Sequence, residues 1–315
     1  MTRAFVFPGQ GAQTIGMGRA LAEAYPAAKA VFDEVDEALD EKLSALIWEG
    51  EQEELTLTRN AQPALMATSL AAMRALEAEG VTVEAAAFVA GHSLGEYSAL
   101  AAAGAISVAD TARLLRIRGQ AMQEAVPVGH GAMAALLGLD FDAVRKIAKR
   151  AAHDTHKVCE AANDNDPGQV VISGDADAVK HAVSLAQEAG AKRAVMLPVS
   201  APFHCSLMKP AAKAMAEALD DVAIEAPRVP LVANVLAHDV DDPEIIRSLL
   251  VDQVTHSVRW RESVAWMVKQ GVTEFWEIGA GKALSGMIRR IDRSAATRQV
   301  GTPDEVKAAV EGLAE

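Results

Sequence analysis

The residues best suited to chemistry form a five-residue block, Gly91-His92-Ser93-Leu94-Gly95. A G-x-S-x-G turn between a strand and a helix exposes the serine oxygen at the helix N-terminus, where the macrodipole favours developing negative charge. The chemistry this suits is nucleophilic acyl transfer, with the backbone N–H of Leu94 as one oxyanion donor. A serine N-cap between two incidental glycines is the plainer reading, and the flanking strand and helix argue against it. A serine hydroxyl is a weak nucleophile and needs a base. Of the eight histidines, His92 belongs to the turn itself, and His153, His156 and His181 fall on polar stretches. His204 follows Pro198-Val199-Ser200-Ala201-Pro202-Phe203, a two-proline loop leading into a helix, and is the candidate general base. Cys205 offers a thiol beside it, but adjacent side chains rarely face one another.

The third residue is Arg118. In the predicted helix Asp110–Glu124, Leu114, Ile117 and Ala121 form an apolar stripe, with Leu115, Met122 and Ala125 beside it. Arg113, Arg116, Gln120 and Glu124 make the polar side. Arg118 falls four residues after Leu114 and four before Met122, on the apolar side. A guanidinium there is costly without an anionic partner. Either it meets an internal carboxylate or snorkels outward, or it is a planar bidentate clamp for a substrate carboxylate. Two glycine-rich turns do less. Phe7-Pro8-Gly9-Gln10-Gly11-Ala12-Gln13 can turn an amide or backbone N–H into a site, but lacks the glycine spacing of a dinucleotide fingerprint. Gly279-Ala280-Gly281-Lys282 lacks the upstream glycine and following Ser/Thr of a P-loop.

Positioning these residues takes an α/β fold, in which short β-branched runs alternate with longer helical stretches. The pattern predicts strands at Ala4–Phe7 and Ala86–Ala90, helical periodicity over Arg19–Leu39 and from Pro63 to Leu76, and helices Leu94–Ala103 and Asp110–Glu124. Between Val126 and Val199 the order becomes strand Ala132–Leu139, helix Phe141–Ala152, strand Lys157–Ala162, strand Gln169–Ser173, helix Ala176–Ala189 and strand Arg193–Pro198. That βαββαβ order is ferredoxin-like. Longer units then return: helix Leu207–Leu219, strand Pro230–Asn234, helices near Glu244–Val251 and Glu262–Lys269, strand Thr273–Ile278 and a helix from Ala283. The expectation is a large, mostly parallel α/β domain over 1–125 and 199–315, with a small inserted domain over 126–198.

Composition narrows the partners. The 315 residues carry 30 Lys and Arg against 43 Asp and Glu, a formal charge of −13, which argues against a nucleic-acid binder. Two cysteines with no CxxC pair give neither a disulfide framework nor a thiolate zinc site, and fit a reducing, cytoplasmic setting. No apolar run reaches the roughly 18 residues of a membrane span. Strand-like residues begin almost at once, so no signal peptide is expected.

Six segments occur together in this order: FVFPGQGAQ, GHSLGEYSAL, RGQAMQ, NDPGQVVISG, PFH and EIGAGKAL. Through them the chain, over essentially its whole length, closely resembles the malonyl-CoA:acyl carrier protein transacylases, the acyltransferases of bacterial type II fatty-acid synthesis. The resemblance implies an α/β-hydrolase-like domain with a ferredoxin-like insert, no cofactor or metal, and a monomer. It implies Ser93 as the acylated nucleophile, His204 as general base and acid, Gln10 and Leu94 as backbone oxyanion donors, and Arg118 as ligand of the malonyl carboxylate. It further implies that the main-chain carbonyl of Gln253 orients His204, making a dyad rather than a triad with an acidic side chain. In the related acyltransferases a phenylalanine at the position of Phe203 accompanies malonyl over methylmalonyl use, so the resemblance favours malonyl here. Ala280 departs from the family, where many members have proline. The implied partners are malonyl-CoA and the acidic holo acyl carrier protein. A local basic patch must receive the latter on so acidic a chain, and Lys192, Arg193, Arg289, Arg290 and Arg293 are the candidates.

Two other classes compete. An esterase or thioesterase of the α/β-hydrolase type would place an acid and then a histidine late in the chain, and would have no use for Arg118. A non-catalytic carrier-binding module would have lost Ser93, His204 or Arg118.

Overall fold

Runs such as Ala4-Phe5-Val6-Phe7 are apolar at every position, as a strand covered on both faces requires. In the computed structural model, which describes residues 2–199 and 201–313, ten strands fall into two sheets. Ser200, in the loop leading to His204, lies outside the described residues. The strands are β1 (Arg3–Phe7), β2 (Phe88–Gly91), β3 (Gly131–Leu137), β4 (Cys159–Asp166), β5 (Gln169–Asp175), β6 (Arg193–Met196), β7 (Leu231–Val232), β8 (Asp239–Val240), β9 (Glu274–Ile278) and β10 (Ala296–Val300).

The large sheet has the order β10-β9-β1-β2-β7-β8 and is parallel except for the β7–β8 pair. The period-two alternation of β1 sends Phe5 and Phe7 into the larger core, which includes Leu65 and Leu70. Ala4 and Val6 face the other layer, among Trp260, Val264 and Met267. The small sheet has the order β4-β5-β3-β6 and is antiparallel throughout. Ala134 and Leu136 of β3 pack with the helices Phe141–Thr155 and Ala176–Glu188. Met133 and Ala135, on the opposite face, join the core of the large sheet. Strand β4 is sewn to the large sheet's side by backbone bonds from Asp164 N–H to Val258 O and from Val258 N–H to Ala162 O, both 2.9 Å. Among the described residues no helix is long and apolar enough to cross a membrane.

Several elements differ from the sequence expectation for identifiable reasons. The helix expected after Pro63 begins at Thr58 and contains the proline, because near-complete burial over Ala61–Met73 outweighs its missing N–H. Arg19–Leu39 is two helices, Arg19–Ala24 and Pro26–Leu39, parted by extended Tyr25 with proline at the first helical position. Strand β7 is only Leu231–Val232. Strand β10 and the helix Pro303–Glu311 went unanticipated, since β10 is an edge strand carrying the polar run Thr297-Arg298-Gln299. In the helix Val108–Glu124 the buried stripe is Thr111, Leu114, Leu115, Arg118 and Met122, while Ile117 is 40% exposed. Arg118 therefore lies in the middle of the buried face, deeper than its sequence neighbours suggested.

Candidate active site

The nucleophile turn is built by exclusion of side chains. A Cβ on Gly91 would lie 1.9 Å from the Gly95 carbonyl, and one on Gly95 2.2 Å from the Phe7 carbonyl oxygen. Only glycines permit the start of the helix at Gly95 to lie so close to the ends of β2 and β1. Ser93 pays for the turn with a left-handed backbone, φ 54°, a conformation that persists only where its surroundings enforce it. Asn234, just beyond β7, supplies that enforcement: its Oδ1 accepts from Ser93 N–H at 2.9 Å and its Nδ2 donates to Gly91 O at 2.7 Å. The carboxyl ends of three adjacent parallel strands thus deliver Gln10, Ser93 and Asn234 to one place, as open α/β sheets do.

Ser93 Oγ lies 2.8 Å from His204 Nε2, and His204 Nδ1 lies 2.9 Å from the Gln253 carbonyl oxygen. The carbonyl can only accept, so Nδ1 carries the hydrogen and Nε2 is left as acceptor for the serine hydroxyl. The imidazole is buried. Burial first, and the nearby Arg118 charge second, push His204 down to about 3, so it stands as a neutral base. Phe203, 9% exposed, packs into the core immediately before it.

Arg118 is 1% exposed and makes no salt bridge among the described residues, so the internal ion pair considered from sequence is absent. Its Nη1 donates to Gln62 Oε1 at 2.7 Å, and its Nη2 donates to Gln253 Oε1 at 2.7 Å and Ser93 Oγ at 3.1 Å. Its Nε has no partner among the described residues, and the guanidinium sits 5.6 Å from the Tyr97 ring centroid. A buried cation held by neutral amides, with a donor left over and its tip on the nucleophile, is prepared for an anion that the protein does not itself provide.

The Gln10 side chain donates from Nε2 to Thr58 Oγ1 at 3.3 Å. Its backbone N–H and that of Leu94 make no hydrogen bond within the protein among the described residues, which leaves both for an oxyanion. The basic candidates are not one cluster. Arg290 is committed to buried Asp166 at 2.7 Å, and Arg289 donates to Thr297. Lys192 and Arg193 are exposed at the start of β6. The cross-strand row Asp166, Gln169, Leu137, Arg193 separates the two groups by three strand spacings, about 14 Å.

Four residues of this site escaped the sequence reading: Gln62, Glu96, Tyr97 and Asn234. The signal that exposed Arg118 was available for two of them. Gln62 interrupts Ala61-Gln62-Pro63-Ala64-Leu65, and Asn234 interrupts Leu231-Val232-Ala233-Asn234-Val235-Leu236, each a lone polar group in an apolar run.

Residues 4–302 match the family model of the acyl transferase domain. A Bacillus subtilis malonyl CoA-acyl carrier protein transacylase is 49% identical over 312 residues, covering 99% of this chain and 97% of that protein. The crystal structure of an acyl-carrier-protein-S-malonyltransferase from Bartonella henselae superposes with a TM-score of 0.97 at 57% identity, covering 100% of both chains. A malonyl-transacylase in complex with its type II PKS acyl-carrier protein gives 0.95 at 42% identity, covering 99% of this chain and 100% of that one. A match of this extent, on relatives of this identity, places the chain in the malonyl CoA-acyl carrier protein transacylase family of acyl transferases.

Proposed function

We propose that this protein moves a malonyl group from malonyl-CoA to the phosphopantetheine thiol of an acyl carrier protein through a malonyl ester on Ser93. The observation that carries this reading is the buried guanidinium of Arg118, without a salt bridge among the described residues and 3.1 Å from a serine oxygen that is itself 2.8 Å from a neutral imidazole. Arg118 takes the malonyl carboxylate, which turns the thioester carbonyl toward Ser93. His204 Nε2 removes the serine proton as Oγ attacks, and the negative charge on the carbonyl oxygen is met by the backbone N–H groups of Leu94 and Gln10. The intermediate collapses with loss of the coenzyme A thiolate, which takes the proton from His204. The carrier thiol then attacks the ester, His204 again accepting and returning one proton. Gln253 holds His204 in the tautomer both halves need, and Phe203 fills space beside it.

Intact-protein mass spectrometry after brief mixing with malonyl-CoA tests this reading. One malonyl adduct, mapped to Ser93 and discharged by holo carrier protein, is expected. Discharge into water at the same rate would indicate a thioesterase, and no adduct would overturn the catalytic assignment.

The division into 1–125 with 199–315 and an insert over 126–198 belongs to the same proposal, supported by the confinement of the small sheet to residues 131–196. For the carrier protein, Arg289 is exposed and, unlike its neighbour Arg290, is not committed to a carboxylate of the small sheet. Arg289→Glu is expected to raise the KM for carrier protein about fivefold, while acylation by malonyl-CoA is unchanged in stopped reactions.

A further inference from the structure

Glu96 is a fully buried carboxyl, three residues past the nucleophile, that no step above employs. Isolated buried carboxyls are expensive, and this one makes no salt bridge among the described residues. Its Oε2 accepts from Gln253 Nε2 at 2.9 Å and from Asn234 N–H at 3.0 Å, while Oε1 has no partner among the described residues. Burial outweighs those bonds and pushes the carboxyl up to about 7.

Both donors lead back into the site. Asn234 grips Gly91 O and Ser93 N–H through its side chain. Gln253 holds His204 through its carbonyl and Arg118 through Oε1. The orientation of the Gln253 amide is the deciding feature. Its Nε2 faces two acceptors, Glu96 Oε2 and Ser93 O, the latter at 3.0 Å. A flipped amide would set its oxygen against both acceptors and its NH2 against the guanidinium, opposing donor to donor. With the amide fixed, Arg118 finds an acceptor at Gln253 and another at Gln62, which together set the plane of the guanidinium beside Ser93.

We infer that Glu96 is a positioning residue that, by locking the Gln253 amide, aims Arg118 and so sets the preference for acyl groups bearing a carboxylate over those without one. This rests on the malonyl reading above. What matters is an acceptor at the Oε2 position, within reach of Gln253; a full negative charge is not required. A glutamine reproduces that acceptor, an aspartate is one methylene short of it, and a methionine keeps the volume without it.

The test compares rate constants for Ser93 acylation by malonyl-CoA and by acetyl-CoA, in wild type and in Glu96→Gln, Glu96→Asp and Glu96→Met, with thermal melting as the folding control. Glu96→Gln is expected to keep the malonyl-to-acetyl ratio within about threefold of wild type. Glu96→Asp and Glu96→Met are each expected to lower it about tenfold or more, through the malonyl rate, since sub-ångström errors in aim are amplified at a reacting centre. Either of those two variants, folded, decides the matter. An unchanged ratio, or malonyl and acetyl rates falling together, overturns the inference, as does a Glu96→Gln loss as deep as that of Glu96→Asp. Failure of wild type to prefer malonyl overturns instead the reading on which the inference rests.

Discussion

Replacing His204 by alanine is expected to slow acylation of Ser93 by about 10⁴-fold or more, and adding Ser93→Ala is expected to cost almost nothing further. The serine hydroxyl at 2.8 Å from Nε2 is a nucleophile only while its proton has somewhere to go, so the two residues act as a unit and their losses do not add. Rate constants for the two single variants and the double variant check this; strict additivity would mean that another group serves as base. The environment of His204 also fixes its pH behaviour. With the imidazole pushed down to about 3, the acid limb that an unperturbed histidine would place near 6.5 moves below pH 5 in the rate of malonyl-CoA acylation. The sign for stability follows from proton uptake. The folded state binds this proton less readily than the unfolded state, so the contribution is fully present above about pH 6.5 and is lost as pH falls toward 3. Urea unfolding at pH 7 and pH 5 should therefore show His204→Gln losing less stability on acidification than wild type. Glu96, raised to about 7, has the opposite sign: its contribution is present below about 4.5 and is lost as pH rises through 7.

What the sequence disclosed, and what it hid, follows from how far each signal reaches along the chain. The turn at Ser93 was legible because its glycines, strand and helix are all local. The order of the small sheet was legible because βαββαβ units carry their periodicities in sequence. Arg118 was legible because one charge on an apolar stripe contradicts its neighbours. Its partners were not. Gln62 lies 56 residues away and Gln253 135 residues away, and neutral amides carry no charge pattern that would pair them with it. Glu96 was read past for a related reason. A Glu in the first turn of a helix is the ordinary complement to the macrodipole, and only tertiary packing shows this one fully buried and bonded to residues from beyond β7. Strand β10 was missed because edge strands need not be apolar. Gln62 and Asn234 do stand out as lone polar groups in apolar runs, but which partners they satisfy is specified by the fold and not by their surroundings in sequence.

Arg118→Ala is expected to lower acylation by malonyl-CoA about 10²–10³-fold, and to change acylation by acetyl-CoA far less, because an unpaired buried charge costs roughly 3–5 kcal/mol. In wild type, an acetyl group leaves the guanidinium as it stands, with Nε unpartnered and neutral acceptors alone on its two Nη atoms among the described residues. A malonyl carboxylate supplies the missing anion, so discrimination arises from relief of a penalty the protein carries in its free state. The alanine variant removes that penalty together with the clamp, and the difference between the two acyl groups should collapse. Arg118→Lys separates charge from geometry. A lysine restores the positive charge but is a single point donor, and cannot span Gln62 and Gln253 while presenting a planar face beside Ser93. Malonyl acylation by Arg118→Lys should therefore remain nearer that of Arg118→Ala than wild type, measured as paired malonyl and acetyl rate constants with melting temperatures as the control. Full rescue by lysine would mean that charge alone selects the substrate. The fork held between two amides argues otherwise, since neither Gln62 nor Gln253 would be needed to keep a simple charge in place.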